Sequence, residues 1–119
     1  MINLLPMEAD NVVGFLISGK IRKEDIDRVL LVIEKKLQAH DKLRVYAEVS
    51  SIEGMAWGAL LQDVRFSLKH FRDFEKEAIV SDKAWLAKLA NVGDKLFPSI
   101  EVRHFPWAEK AQALEWIRS

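Results

Sequence analysis

The sequence contains no cysteine. That excludes a disulfide scaffold, a thiol nucleophile, iron–sulfur clusters and cysteine-based zinc sites. Glycine is scarce. Gly14, Gly19, Gly54, Gly58 and Gly93 are the only five, and they form neither a Gly-x-Gly-x-x-Gly fingerprint nor a phosphate loop. A Gly-x-Ser-x-Gly elbow is missing too, which disfavours an α/β-hydrolase. Pro6, Pro98 and Pro106 lie far apart, and no linker or internal repeat divides the chain. His40, His70 and His104 fall on different segments without metal-ligand spacing, so neither a metal nor another cofactor is expected. Charge of one sign is not in excess: 18 Lys and Arg balance 18 Asp and Glu. That argues against a nucleic-acid partner bound by phosphate neutralisation. The longest apolar runs, 12–17 and 55–61, fall well short of the ~20 residues of a membrane span. The first residues lack a basic leader. The expected location is the cytoplasm. Peripheral attachment at the inner membrane surface is compatible with this, because it needs no span.

What remains is a 119-residue chain, half of it hydrophobic. That is enough for one domain over 1–119 with a real core. Residues 2–5 read as a short edge strand stopped by Pro6. Val12-Val13-Gly14-Phe15-Leu16-Ile17 reads as a buried strand, paired with the first as a hairpin. A helix is predicted over about 23–39, with Ile26, Val29, Leu30, Ile33 and Leu37 on one face. Glu24, Asp25 and Asp27 in its first turns complement the helix dipole. Leu43, Val45, Ala47 and Val49 alternate with Arg44, Tyr46 and Glu48 as a third strand. A second helix is predicted over about 55–71, and Ala78-Ile79-Val80 is a short strand. Asp82 is placed to cap a third helix whose inward residues are Trp85, Leu86, Leu89, Val92 and Leu96. Residues 100–105 form the last strand. Pro106 opens a final helix with Ala111, Leu114 and Ile117 as its buried positions. Trp107 and Trp116 share that segment, and only one of them can face the sheet. The order β-β-α-β-α-β-α-β-α predicts an α/β fold: a mostly parallel four- to five-stranded sheet with helices packed against it and one antiparallel edge strand.

The richest polar cluster lies at the exit of the third strand: Glu48, Ser50, Ser51, Glu53 and Gly54. Parallel sheets bind ligands outside the carboxyl ends of their strands, at a switch point. The plainer alternative is a solvated loop whose hydroxyls cap the next helix. Asp63 and His70 share one helix face but make a weak case for acid–base chemistry, so no catalytic residue is assigned.

The 55–71 segment carries two apolar strips. At 100° per residue, Leu60, Leu61, Val64, Leu68 and Phe71 fall within about 60° of Trp57, while Phe66 falls at about 180°. Met55, Ala59 and Phe66 form the thinner second strip, flanked by Gln62, Lys69 and His70. A surface helix normally has one stripe. The second strip points to a covering body: a hydrophobic ligand, a lipid surface, a protein partner or a second copy. Arg65, Lys69 and Arg72 lie beside it, as an anionic surface would require. A lone exposed Phe66 is the ordinary alternative.

In sequence order, the chain carries Gly19-Lys20-Ile21 with Glu24-Asp25, then Gly54 with Gly58-Ala59-Leu60 and Asp63. Phe66-Ser67-Leu68-Lys69-His70 and Ala78-Ile79-Val80-Ser81-Asp82 with Trp85 follow. Val102-Arg103-His104-Phe105 and Ala113-Leu114-Glu115-Trp116 complete the series. This set resembles the SpoIIAA-like family, whose fold is similar to STAS domains and more loosely to CRAL-TRIO lipid-binding domains. The resemblance implies a small bacterial domain and does not imply catalysis; its lipid-binding relatives suggest a hydrophobic ligand or membrane association. The chain departs from the family's relatives in two places. STAS-class anti-sigma factor antagonists carry a phosphorylatable serine motif where this chain reads Glu53-Gly54-Met55-Ala56-Trp57-Gly58-Ala59, with no hydroxyl. Arg22 stands where the family often has a helix-capping Thr.

The leading expectation is thus a non-enzymatic binding module, using Met55, Ala59, Phe66, Lys69 and His70 toward a lipid-like ligand or membrane. The alternative is a protein-interaction domain, dimeric or partnered, on the same surface.

Overall fold

The computed structural model describes residues 1–50, 74–84 and 100–119. Five strands form one sheet in sequential order: β1 (Ile2–Leu5), β2 (Val12–Ile17), β3 (Leu43–Val49), β4 (Phe74–Val80) and β5 (Glu101–Phe105). β1 pairs antiparallel with β2, and every other pairing is parallel. The predicted hairpin, central parallel strands and antiparallel edge are all present. β4 begins four residues before the predicted Ala78, because Phe74 starts it and the polar run Glu75-Lys76-Glu77 continues it. A bulge sits at its start: Leu43 pairs with Phe74 and Arg44 with Lys76, leaving Glu75 over.

Helix α1 (Lys23–Leu37) follows β2. Ile33 is buried, and Ile26, Val29, Leu30 and Leu37 are half-buried, as the one-face pattern requires. The helix packs on the sheet face carrying Val13, Phe15, Ile17, Ala47, Val49 and Ile79. Arg22 precedes it with a side chain that has no acceptor. The loss of a capping threonine is partly made good by Asp25, whose Oδ2 accepts the Arg22 N–H at 2.9 Å. Ahead of α1, Gly19 has φ 61°, a left-handed backbone suited to glycine.

A single 3₁₀ turn (Trp107–Glu109) leads into α2 (Lys110–Arg118), which covers the opposite sheet face. There it meets Val12, Tyr46, Ala78 and Val80. Ala113 and Ile117 are its buried positions, and Leu114 is half-buried. Ala111, predicted to be buried, is exposed: the face that meets the sheet is the i, i+4 line through Ala113 and Ile117. Trp116 packs on Phe105 with ring centroids 5.9 Å apart, while Trp107 is exposed. Because α1 and α2 lie on opposite faces, the polar-looking side of β3 is buried as well. Tyr46 is 1% and Glu48 4% exposed.

The helices predicted over 55–71 and 85–96 lie outside the described residues. Among the described residues, no helix is long and apolar enough to cross a membrane.

Candidate functional site

Of the predicted strand-exit cluster, Glu48 and Ser50 are described. Glu48 closes the floor beneath the first turn of α2, where its Oε1 meets Lys110 Nζ at 2.8 Å. This pair places a carboxylate at a helix N-terminus, which the dipole favours. Ser50 is exposed; its Oγ and N–H both donate to the Ile17 carbonyl, at 3.4 and 3.0 Å. The two side chains are engaged in local structure and do not converge. The strand order also runs in sequence without reversal, so the described sheet has no switch point of the kind predicted there. Ser51, Glu53, Gly54, Met55, Ala59, Phe66, Lys69 and His70 lie outside the described residues, as do Asp63 and Trp57.

At the same end of the sheet, the exits of β4 and β5 are stapled together. The Ser81 N–H donates to the Phe105 carbonyl at 3.0 Å. His104 Nε2–H donates to the Ser81 carbonyl at 2.6 Å, because a carbonyl can only accept. The Trp107 N–H donates to Asp82 Oδ1 at 2.9 Å. Buried Ser81 accepts the Lys83 N–H on its Oγ at 3.0 Å. Asp82, predicted as a helix cap, therefore fixes the turn into α2. The Ser81-Asp82 and Arg103-His104-Phe105 motifs hold two strand ends in place.

The candidate binding site is the other sheet face, at the middle of β4. Register aligns Val45, Glu77 and Val102 across three strands, and alternation puts Glu77 on the same face as Ile79. All three aligned residues are only partly buried. Burial pushes the Glu77 carboxyl above its usual range, and no hydrogen bond or ion pair joins it to a described residue. Several other described carboxylates are paired: Asp25 with Arg28, Asp10 with His40 and Lys36, Glu75 with Arg44, Glu8 with Arg118, Glu48 with Lys110 and Glu101 with Arg103. A carboxyl group among valines can hydrogen-bond a polar atom of an otherwise apolar molecule. Among the described residues no group of three His, Asp or Glu could hold a metal. Sequence reading missed Glu77 because Glu75-Lys76-Glu77 resembles a loop. Its only signal was a carboxylate two positions before Ile79, on the face of an apolar strand.

A family model described as SpoIIAA-like matches residues 12–118. No curated protein matches the chain. Among solved structures, the chain is similar to an uncharacterized protein of the DUF3478 family with a SpoIIAA-like fold from Shewanella loihica PV-4. The two share 19% identity over 98% of this chain and 92% of that one, with a TM-score of 0.66.

Proposed function

The chain belongs to the SpoIIAA-like family, and from that premise we propose that it is a non-enzymatic binding module for a hydrophobic or lipid-like ligand. The family is generally non-enzymatic. The observation that carries the reading is the Val45–Glu77–Val102 row: apolar side chains left partly open around a carboxyl group without a partner among the described residues. Ligand sites combine a mostly apolar lining with a few polar groups that fix orientation, and perturbed titration is common at such positions. The strip of Met55, Ala59 and Phe66, with Lys69 and His70, remains part of the proposal from sequence alone. Native mass spectrometry with lipid extraction, together with liposome co-sedimentation, tests it. Wild type should retain an amphiphile, Glu77→Leu should retain at least tenfold less, and Glu77→Gln should lose less than Glu77→Leu. Wild type free of ligand and absent from the liposome pellet would defeat the reading.

A second reading, a STAS-like regulatory interaction domain, is favoured by a separate observation. Leu31 on α1 is 66% exposed, a large apolar side chain on the outer flank of a helix. The chain lacks a hydroxyl over residues 53–59, so this reading excludes a serine-phosphorylation switch there. A Leu31→Asp variant that keeps every wild-type association would remove its support.

A further inference from the structure

β1 is an edge strand, and its hydrogen bonds define which backbone groups face outward. Met1 and Ser18 exchange both bonds, Met1 N to the Ser18 carbonyl at 2.6 Å and Ser18 N to the Met1 carbonyl at 2.9 Å. In an antiparallel ladder such pairs alternate, so Asn3 and Leu5 also face β2, while Ile2 and Leu4 face away from the sheet.

The outward groups of Ile2 are occupied. Its N–H donates to Asp25 Oδ1 at 3.4 Å, and its carbonyl accepts Arg28 Nη2 at 2.8 Å. Arg28 Nη2 and Asp25 Oδ1 lie 2.7 Å apart. Two side chains from the first turns of α1 thus make the contacts that a neighbouring strand would make. Asp25 is buried and held by the Arg22 N–H, so its position is fixed from the helix side. Leu4, the other outward residue, has no such cover. Its side chain is 51% exposed, and its backbone groups have no partner among the described residues.

We infer that the Asp25–Arg28 pair is an autoinhibitory clasp that keeps a second copy of this chain from adding to the sheet through β1. A second copy is the occupant that the register selects. Two antiparallel β1 strands related by a two-fold axis at Asn3 set Ile2 opposite Leu4 twice. The outward groups of both residues then face each other and form four backbone hydrogen bonds. Each exposed Leu4 side chain comes to lie beside the partner's Ile2, at the flank where Arg28 now reaches over. Pro6 limits the pairing to those bonds. Every one of them uses an Ile2 group, and the clasp occupies both such groups in each copy. Closed clasps and edge pairing therefore exclude each other. Natural sheets protect their edges with charged side chains for this reason.

Size-exclusion chromatography with light scattering, over a concentration series, tests the clasp. Wild type should stay monomeric. Arg28→Ala frees the Ile2 carbonyl and should self-associate at least tenfold more tightly, as a dimer. Adding Leu4→Pro should return the protein to a monomer, because proline there removes only an outward N–H. Circular dichroism checks that each variant is folded, and Arg28→Gln replaces Arg28→Ala if the alanine variant does not fold. Amide exchange at Leu4 should be fast in wild type and slow with concentration in Arg28→Ala. A folded Arg28→Ala that stays monomeric overturns the clasp. So does association that Leu4→Pro leaves unchanged, or a wild type as dimeric as the variant.

Discussion

Arg44 and Glu48, four residues apart on one face of β3, meet opposite ends of the same helix. Glu48 pairs with Lys110 beneath the first turn of α2. Arg44 donates Nη1 to the Ile117 carbonyl at 2.9 Å in its last turn and holds Glu75 at 2.7 Å. Lys76 adds to the same end, reaching Ser119 Oγ at 3.2 Å and lying 5.1 Å from the Trp116 ring centre. A sheet-borne anion at the helix N-terminus and sheet-borne cations at its C-terminus match the helix dipole. This pattern fixes both the direction and the phase of α2.

The two partners of the Glu48–Lys110 pair are unequal: the Glu48 side chain is 6% exposed and that of Lys110 47%. Lys110→Ala leaves a buried carboxylate alone and should cost about 2 kcal/mol, discounted for the water that reaches the pair. Glu48→Gln releases an ammonium that can turn to solvent and should cost less, about 1 kcal/mol. Urea denaturation of both variants checks the order, and equal costs would refute the asymmetry.

Tyr46 is fully buried, and its hydroxyl has no hydrogen-bond partner among the described residues. Burial, reinforced by the nearby Glu48 charge, pushes the phenol well above its usual range. Removing an unsatisfied buried hydroxyl relieves its desolvation penalty. Tyr46→Phe should therefore stabilise the fold by about 1 kcal/mol, read as a higher denaturation midpoint at unchanged slope.

Two carboxyls should shape the pH dependence in opposite directions. The Arg22 N–H holds Asp25 below the usual carboxylate range; burial works the other way, while Arg28 and the Ile2 N–H lower it further. A depressed acid contributes stability above its unfolded value of about 3.9, and this is lost as pH falls through the folded value. Asp25→Asn should cost about 1–3 kcal/mol at pH 7. Its gap to wild type should close below about pH 4.

Glu77 is raised by burial, so ionising it costs the folded state. Glu77→Gln should melt higher than wild type at pH 7. The difference should shrink as pH falls and vanish below the unfolded value of about 4.3. Thermal melts between pH 3 and 8 would settle both carboxyls, and a Glu77→Gln difference that grows toward acid would reverse the assignment.

The architecture was legible because alternation and one-face periodicity report burial directly. Val12–Ile17 and the Ile26–Leu37 stripe gave β2 and α1 near their true bounds. Reading failed where a polar residue was buried through a partner distant in sequence. Glu48 reads as part of a polar binding cluster at a strand exit, but Lys110, 62 positions later, makes it a helix anchor. Asp82 also serves Trp107, 25 residues later, a partner that its neighbours in sequence do not announce. Asp25 was seen as a dipole partner, while its hold on the β1 edge depends on Ile2, 23 residues earlier. Glu77 stayed hidden because its neighbours in sequence are charged and its neighbours in space are valines.

The sequential strand order has a consequence for assembly. Neighbours in the sheet are also neighbours along the chain, so the sheet can grow by accretion from its N-terminal side, one strand at a time. Each newly added strand briefly presents a raw edge to the next, and such edges are where nascent chains aggregate. The β1 side is different, because Ile2, Asp25 and Arg28 all precede β3 in the chain, so the contacts across that edge need no later residue.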